Sequence, residues 1–313
     1  MRVAFLGSPD SWYLNDLRRA AADRHEIVPL AFGEMNSTLG RSGAVLSSGP
    51  CRMSDVDAVL VRTMPPGSLE QVVFRMDALA QLEAAGKLVV NPARAIEAAV
   101  DKYLASAKLA AAGLTIPRTI VCQTTDDAMA GFAELGGDVV LKPLFGAEGR
   151  GITRLNDEAL ALRAFKMLEQ LGAVLYLQEF VEHEGCDLRL LVIGPRVLGM
   201  RRCNPLDWRT NVSRGAKAEP LEVTPLLAEL AHQAAKAVGA PLAGVDLLPA
   251  RNGELYAIEV NAVPGWKALA RALNVDVAHL VLEYLEGLAA SKIGEDEMAT
   301  ETRPVPTNRP TAS

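Results

Sequence analysis

Along residues 1–95, short continuous apolar runs alternate with longer stretches whose apolar residues recur at helical spacing. "RVAFLGS" reads as a buried strand, a helix follows near Trp12–Asp23, and "EIVPLAF" is the next strand. "VDAVLVRT" (Val56–Thr63) reads as a third strand, "LEQVVFRMDALAQLEAAG" as a helix closed by Gly86, and "KLVVNP" as a fourth strand ended by Asn91-Pro92. Strands alternating with helices predict a parallel α/β sheet. Gly7-Ser8-Pro9 follows the first strand, a place that often holds a ligand, but G-x-G-x-x-G is absent and no dinucleotide fingerprint is supported.

The pattern then changes. "AIEAAVDKYLASAKLAAAGLTIPRT" reads as helical up to Gly113, where Pro117 bars continuation. Strands follow near Thr119–Cys122, Asp138–Pro143 and Ile152–Leu155, then a helix capped at Asn156 and a strand at "VLYLQEFV". Beyond these come the strands "DLRLLVIG", "RVLGMRRC", "LAGVDLLP" and "ELYAIEVN", with helices at Pro225–Val238 and Val275–Leu288. The division expected is an N-terminal α/β domain over 1–95, a central region over 96–182, a third region over 183–288, and a tail over 289–313. Large apolar residues nearly vanish from that tail, which predicts disorder there.

Composition narrows the class. A chain of 313 residues suits two domains or three small ones, and 50% hydrophobic with 22% charged residues is ordinary for a globular protein. A net charge of −6 gives no general affinity for nucleic acid, while leaving room for a local basic cleft. Cys51, Cys122, Cys186 and Cys203 form no C-x-x-C pair, so reduced thiols in a cytoplasmic protein are expected, with no zinc site. "MRVAFLGSPD" is too short in apolar residues for a signal peptide, and no run reaches membrane-spanning length, so no membrane association is expected.

Four stretches carry chemistry. In "LKPLFGAEGRGITRL", Gly146, Gly149 and Gly151 lie between two strands rather than at a strand-to-helix turn. They read either as a hairpin tip whose backbone N–H groups cover phosphates or as a flexible surface hairpin. Lys142 ends the preceding apolar strand and faces the glycines, placed to meet a phosphate or to snorkel; Arg150 is a phosphate clamp or a solvated charge. In the second stretch, Gln178, Glu179, Phe180 and Val181 form an extended linker with edges that suit adenine, or a plain connection. If Gly194-Pro195 is a two-residue loop, Asp187 opposes Arg202 and Arg189 shares their face, a solvated side or the wall of a nucleotide cleft. The third, "NPLDWRTNVSRGAKAEP", is a polar loop with Arg209, Asn211, Arg214 and Lys217, solvated charges or partners for phosphate and carboxylate.

The fourth is "IEVNAVPG", which sets Glu259 and Asn261 in an apolar strand. Paired as a hairpin around Asn252-Gly253, through a two-residue or symmetric four-residue loop, this strand sets Glu259 directly opposite Asp246, with Cβ atoms roughly 5 Å apart. Opposed carboxylates need a compensating partner. Two acids and an amide oxygen suit Mg²⁺ or Mn²⁺; an arginine partner or one protonated acid are the alternatives.

Six stretches in this order, "DKYLASAKLAAAGLTIP", "VVLKPLFGAEGRGI", "LQEFVEHEGCDLRLLV", "WRTNVSRGA", "AGVDLL" and "EVNAVPG", resemble the ATP-grasp superfamily and most closely its RimK-like α-L-glutamate ligases, from Val56 to Leu285. The resemblance implies an ATP-grasp fold: a Rossmann-like parallel-sheet domain followed by two lobes that clamp ATP. It implies an ATP-dependent carbon–nitrogen ligase that forms an amide through an acyl phosphate, adding L-glutamate to a carboxylated acceptor. That acceptor would be a pterin, methanofuran or deazaflavin type of cofactor, or a peptide or protein C-terminus. A ligase for another amino acid or a carrier protein, and a non-catalytic ATP-binding regulator, are the competing readings. By the same resemblance Lys102 and Lys142 contact ATP, Gly146, Gly149, Arg150 and Gly151 form the phosphate lid, and Gln178, Glu179, Phe180 and Val181 form the adenine hinge. Asp187 holds the ribose, with Arg202 beside it. Arg209 and Asn211 reach the phosphates and acyl group, Arg189 and Arg214 lie near the acceptor, and Asp246, Glu259 and Asn261 bind two magnesium ions. Homodimers or tetramers are expected. His25, His183, His232 and His279 fall outside these motifs and read as structural.

Overall fold

The computed structural model describes residues 1–41, 43–146, 149–212 and 215–301, with the backbone alone from residue 293. The N-terminal segment runs β1 (Arg2–Leu6), α1 (Trp12–Ala21), β2 (Glu26–Leu30), β3 (Met35–Gly40), β4 (Gly43–Ser48), β5 (Cys51–Arg52), β6 (Ala58–Val61), α2 (Leu69–Ala84) and β7 (Leu88–Val90). The central segment has α3 (Ala93–Val100), α4 (Lys102–Ala111), β8 (Thr119–Cys122), α5 (Thr125–Glu134), β9 (Val139–Lys142), β10 (Thr153–Leu155), α6 (Glu158–Gln170) and β11 (Leu175–Glu179). The C-terminal segment has β12 (Cys186–Ile193), β13 (Arg196–Cys203), β14 (Lys217–Leu221), α7 (Pro225–Val238), β15 (Leu242–Pro249), β16 (Leu255–Asn261), α8 (Lys267–Leu273) and α9 (Val277–Glu301).

Among the described residues the strands form four sheets, ordered β2-β1-β6-β7, β10-β9-β11-β8, β14-β13-β12-β15-β16 and β3-β4-β5. The first is parallel, as the alternation of strands and helices predicts, and its two central strands, β1 and β6, are buried runs. The second and third are antiparallel. The parallel sheet and the five-stranded sheet share one core: Val59 and Val89 belong to the same buried cluster as Leu190, Val245 and Val260. The small sheet has its own core, with Phe165 and Leu177 fully buried. Lys142, Tyr176 and Gln178 of the sheet β10-β9-β11-β8 line one cleft with Asp187, Asp246 and Glu259 of the five-stranded sheet. No helix among the described residues is long and apolar enough to cross a membrane.

Several local expectations are corrected. The helix expected through Gly113 breaks at Asp101, whose side chain accepts from the N–H groups of Tyr103 and Leu104 and so starts a new helix. The helix after β10 is capped by Asp157, which accepts from Leu160 N, rather than by Asn156. The 289–313 segment is not without structure throughout, because α9 continues to Glu301; the remainder lies outside the described residues. "SKIGEDEMATE" is rich in helix formers and extends a helix already docked through Val277, Val281 and Leu285. The hairpin β3–β4, strand β14 and helix α5 had no clear signal in the sequence. Most of β3 is exposed, so it lacks apolar alternation, and α5 is a short element containing Gly131.

The cysteines differ from expectation as well. The β12–β13 register sets Cys186 directly opposite Cys203, with Cα atoms 4.1 Å apart, and the two are disulfide-bonded. Cys51 and Cys122 are free. Alkylation of the purified protein, denatured without reductant, should label Cys51 and Cys122 alone, and mass spectrometry should find four labels only after reduction. Four labels without reduction would contradict the bond.

Candidate active site

The hairpin between β9 and β10 carries Gly146, Gly149 and Gly151, and a strand follows it, as the sequence requires. At Gly149 (φ 68°) a Cβ would come within 2.5 Å of Asn211 Oδ1, so only glycine permits this approach of the hairpin to the Arg209–Asn211 loop. Arg150 is exposed on the same hairpin. Across the cleft, α4 begins with Lys102, whose Nζ donates to Gly146 O at 3.0 Å. The break at Asp101 is what presents this lysine to the hairpin.

Lys142 ends β9 and is buried; its Nζ donates to Gln178 Oε1 at 2.5 Å. Gln178 in turn donates to Thr119 Oγ1 at 3.1 Å. Burial pushes the Lys142 ammonium down to about 8, against the pull of Glu259, and burial also lowers Lys102. The linker from β11 is held firmly: Glu179 N donates to Arg118 O, Phe180 N to Asp138 O, and Glu179 Oε1 accepts from Arg118 N. The Phe180 ring lies 3.4 Å beneath the Arg154 guanidinium and meets Trp208 edge-on. Arg154, Trp208, Tyr176 and Thr210 were not singled out from the sequence, and nothing in their local pattern marks them; pairing across sheets brings them in. His183, expected outside the site, lines this cleft next to Phe180.

The five-stranded sheet supplies a row of charges. Asp187 on β12 opposes Arg202 on β13 and accepts two hydrogen bonds from it, at 2.7 and 2.6 Å, plus one from Thr210 Oγ1 at 2.5 Å. Arg189 opposes Asp246 on β15 and donates to Asp246 Oδ1 at 2.7 Å, while Arg202 reaches Asp246 Oδ2 at 3.0 Å. Arg189 thus lies buried beneath Asp246 rather than open to an acceptor, and Gly244 leaves the space it occupies: a Cβ there would be 2.5 Å from Arg189 Nη2. Glu259 on β16 directly opposes Asp246, the predicted pair. The connection differs from the one expected: Pro249 pairs with Leu255, making the loop 250–254, and the register shifts between Asp246 and Leu247, leaving Ile258 as a bulge. The odd loop and the bulge offset each other, so the facing pair survives.

The two carboxylates divide. Burial works against ionisation of Asp246, but Arg189 and Arg202 outweigh it and hold its carboxyl below the usual range. Glu259 has no hydrogen-bond or salt-bridge partner among the described residues. Burial, and then Asp246, push its carboxyl up, and Lys102 and Lys142 offset only part of this. Asn261 Oδ1 accepts from Val263 N at 2.7 Å and stays on the Glu259 side of the strand. Arg209, in its loop, is paired with Asp207 at 2.7 Å. Arg214 lies outside the described residues.

This donor set fits a hard divalent cation. Glu259, unpartnered among the described residues, faces Asp246 in the cleft, Asn261 lies two residues further along the same strand, and the described residues hold no group of three or more His, Cys, Asp or Glu that could form an all-protein cage. Mg²⁺ suits such an incomplete set, since it is held by one or two carboxylates plus substrate phosphates.

The sequence matches the RimK-like ATP-grasp domain over residues 99–285. A tetrahydromethanopterin:alpha-L-glutamate ligase of Methanosarcina acetivorans is 32% identical, over 90% of this chain and 97% of that one. A probable alpha-L-glutamate ligase of Picosynechococcus sp. is 31% identical, over 93% of this chain and 97% of that one. Among solved structures, the ATP-grasp ligase PsnB complexed with minimal precursor, Mg and ADP superposes with a TM-score of 0.72 at 22% identity, covering 92% of this chain and 97% of that chain. D-alanine–D-alanine ligase from Bacillus anthracis complexed with ATP gives 0.67 at 16% identity, covering 95% and 99%. These two likenesses, at such low identity, speak to the fold.

Lys142 yields a test. Its ammonium is charged below about pH 8 and neutral above it. If Lys142 meets a nucleotide phosphate, nucleotide affinity of the free protein should fall above pH 8, with the ADP dissociation constant rising by up to about tenfold per pH unit. Titration calorimetry should show this limb in the wild type and its loss in Lys142→Arg, whose guanidinium keeps its charge. A wild-type constant that stays flat to about pH 9.5 would contradict the assignment.

Proposed function

The chain belongs to the RimK-like ATP-grasp family of ATP-dependent carbon–nitrogen ligases, and we propose that it adds L-glutamate to a carboxylated small-molecule acceptor of the tetrahydromethanopterin kind. The names of the relatives support glutamate and this acceptor class. The observation that carries the chemistry is Glu259, a carboxylate without a hydrogen-bond or ion-pair partner among the described residues, set against an arginine-neutralised Asp246 in a cleft with two lysines.

A free carboxylate resists attack by an amine. In this reading an acceptor carboxylate oxygen attacks the γ-phosphorus of ATP, the bond to the β-phosphate oxygen breaks, and ADP leaves. The glutamate amine then attacks the acyl carbon, loses a proton, and displaces inorganic phosphate as the amide forms. Such phosphoryl transfer asks for positioning and charge neutralisation rather than a protein nucleophile. Lys142 and Lys102 hold phosphate oxygens, and Gln178 keeps Lys142 aimed at them. Glu179, Phe180 and Val181 line the adenine, with Arg154 and Trp208 fixing the Phe180 ring. Asp187 Oδ1, which accepts one hydrogen bond, keeps a lone pair for a ribose hydroxyl. Arg209 exchanges Asp207 for phosphate and acyl oxygens, and Asn211 closes against the Gly149 turn, which excludes water from the acyl phosphate. Asp246, Glu259 and Asn261 would hold the Mg²⁺, two ions in this reading, which supplies charge neutralisation between the phosphates.

ADP release should require both glutamate and an acid from a panel of pterin-type and peptide carboxylates. Mass spectrometry of the product should show one or more added glutamyl residues; addition of a different amino acid would overturn the substrate assignment. Glu259→Gln should lower kcat by on the order of 10²-fold or more, as expected when a metal worth several kcal/mol of charge stabilisation is weakened. Its melting temperature should stay unchanged. A variant that kept most of its activity would remove Glu259 from the metal site.

A further inference from the structure

The strand that carries Glu259 and Asn261 ends in a loop, 262–265, and this loop is held from outside its own sheet. Asn91, just beyond β7, is 1% exposed. Its Nδ2 donates to Ala262 O and, at 2.7 Å, to Leu242 O, while its Oδ1 accepts from Leu242 N at 3.0 Å. Arg62, just beyond β6, donates from Nη2 to Pro264 O at 2.6 Å. Its guanidinium lies 4.3 Å from the Trp266 ring centre and 4.8 Å from that of Tyr13 on α1. Trp266 is itself fixed by donation from Nε1 to Asp16 Oδ2 at 3.0 Å. Two consecutive strands of the parallel sheet thus end in side chains that grip carbonyls of the same short loop.

Arg62 is an expensive group for this place. It is 4% exposed, its Nε and Nη1 are buried without a hydrogen-bond partner among the described residues, and burial pushes its guanidinium down to about 10. A buried charge with one carbonyl and two ring faces to compensate it adds little stability, and an apolar side chain of similar volume serves a core as well or better. What Arg62 does provide is a rigid planar donor at Pro264. The loop it holds determines where Val263 N lies, and Val263 N donates to Asn261 Oδ1.

We infer that Arg62 and Asn91 are positioning residues for the metal-binding end of β16: by fixing the carbonyls of Ala262 and Pro264 they set the Val263 turn that orients the Asn261 amide beside Glu259. The parallel sheet, on this account, contributes to cation binding although none of its residues touches the cation. The inference rests on the reading of Glu259 and Asn261 as metal ligands.

The test compares wild type, Arg62→Met, Arg62→Lys and Glu259→Gln by Mn²⁺ binding in the presence of ADP, read from the free-ion EPR signal, and by hydrogen exchange at the Val263 amide. Loss of an outer partner of a metal ligand typically costs 10–100-fold in metal affinity. Arg62→Met should therefore weaken Mn²⁺ by about tenfold or more, speed Val263 exchange, and leave the melting temperature near that of wild type. Arg62→Lys, which keeps a donor for Pro264 O, should recover most of the affinity. Wild-type Mn²⁺ affinity in Arg62→Met would overturn the inference, and so would unfolding of that variant, which would make the role structural. If Glu259→Gln also bound Mn²⁺ normally, the ligand reading itself would fall; if only Glu259→Gln were impaired, that reading would stand without this one.

Discussion

Two carboxylates placed side by side on neighbouring strands, Asp246 and Glu259, repel each other unless positive charge is supplied. The sheet supplies it unequally. Asp187 and Asp246 are balanced by Arg202 and Arg189, so these four buried charges sum to zero and form a fixed polar floor. Glu259 is left over at the edge strand, where burial and Asp246 both raise the cost of its charge. Two lysines contributed by other elements, Lys102 from α4 and Lys142 from β9, face it across the cleft. A divalent cation and a polyphosphate complete such an arrangement, because each relieves a like-charge conflict that the protein maintains.

The surrounding fold serves this one row. The small lobe brings Lys142, the glycine hairpin and the β11 linker over it, and has a separate core that leaves it free to pack as a unit. The five-stranded sheet carries the acids and shares its core with the parallel sheet, so the floor of the cleft is rigid. The side chains that join the two halves of that core, Asn91 and Arg62, end on the loop after Asn261. Chemistry that needs placed charges rather than a nucleophile is well matched to a separately packed roof over a floor built into the main core.

Much of this was legible in the sequence, for identifiable reasons. Gly194-Pro195 is a tight turn, so counting back from it places Asp187 opposite Arg202 and also Cys186 opposite Cys203. The second pair could have been predicted to bond, but four scattered cysteines with no C-x-x-C pair argued for reduced thiols. Counting back from Asn252-Gly253 gave Asp246 opposite Glu259 although the turn was misjudged, since a longer loop and the Ile258 bulge cancel. The hidden features are those that pair elements distant in sequence. Arg154 over Phe180, Arg62 at Pro264 and the two arginines on Asp246 depend on sheet order, which local periodicity does not encode. The break at Asp101 was obscured by the helical pattern on both sides of it, and it is the feature that delivers Lys102 to the cleft.

The central claim is that Glu259 is the principal carboxylate ligand of a cation, with Asp246 contributing beside it while it stays bound to its two arginines. A crystal grown with Mn²⁺ and ADP, with data collected at the manganese absorption edge, tests it most directly. The account predicts an anomalous peak at bonding distance from a Glu259 carboxylate oxygen, with the Arg189–Asp246 and Arg202–Asp246 pairs intact. A peak bound to Asp246 with those pairs broken and Glu259 uninvolved, or no peak in the cleft while ADP is bound, would contradict it.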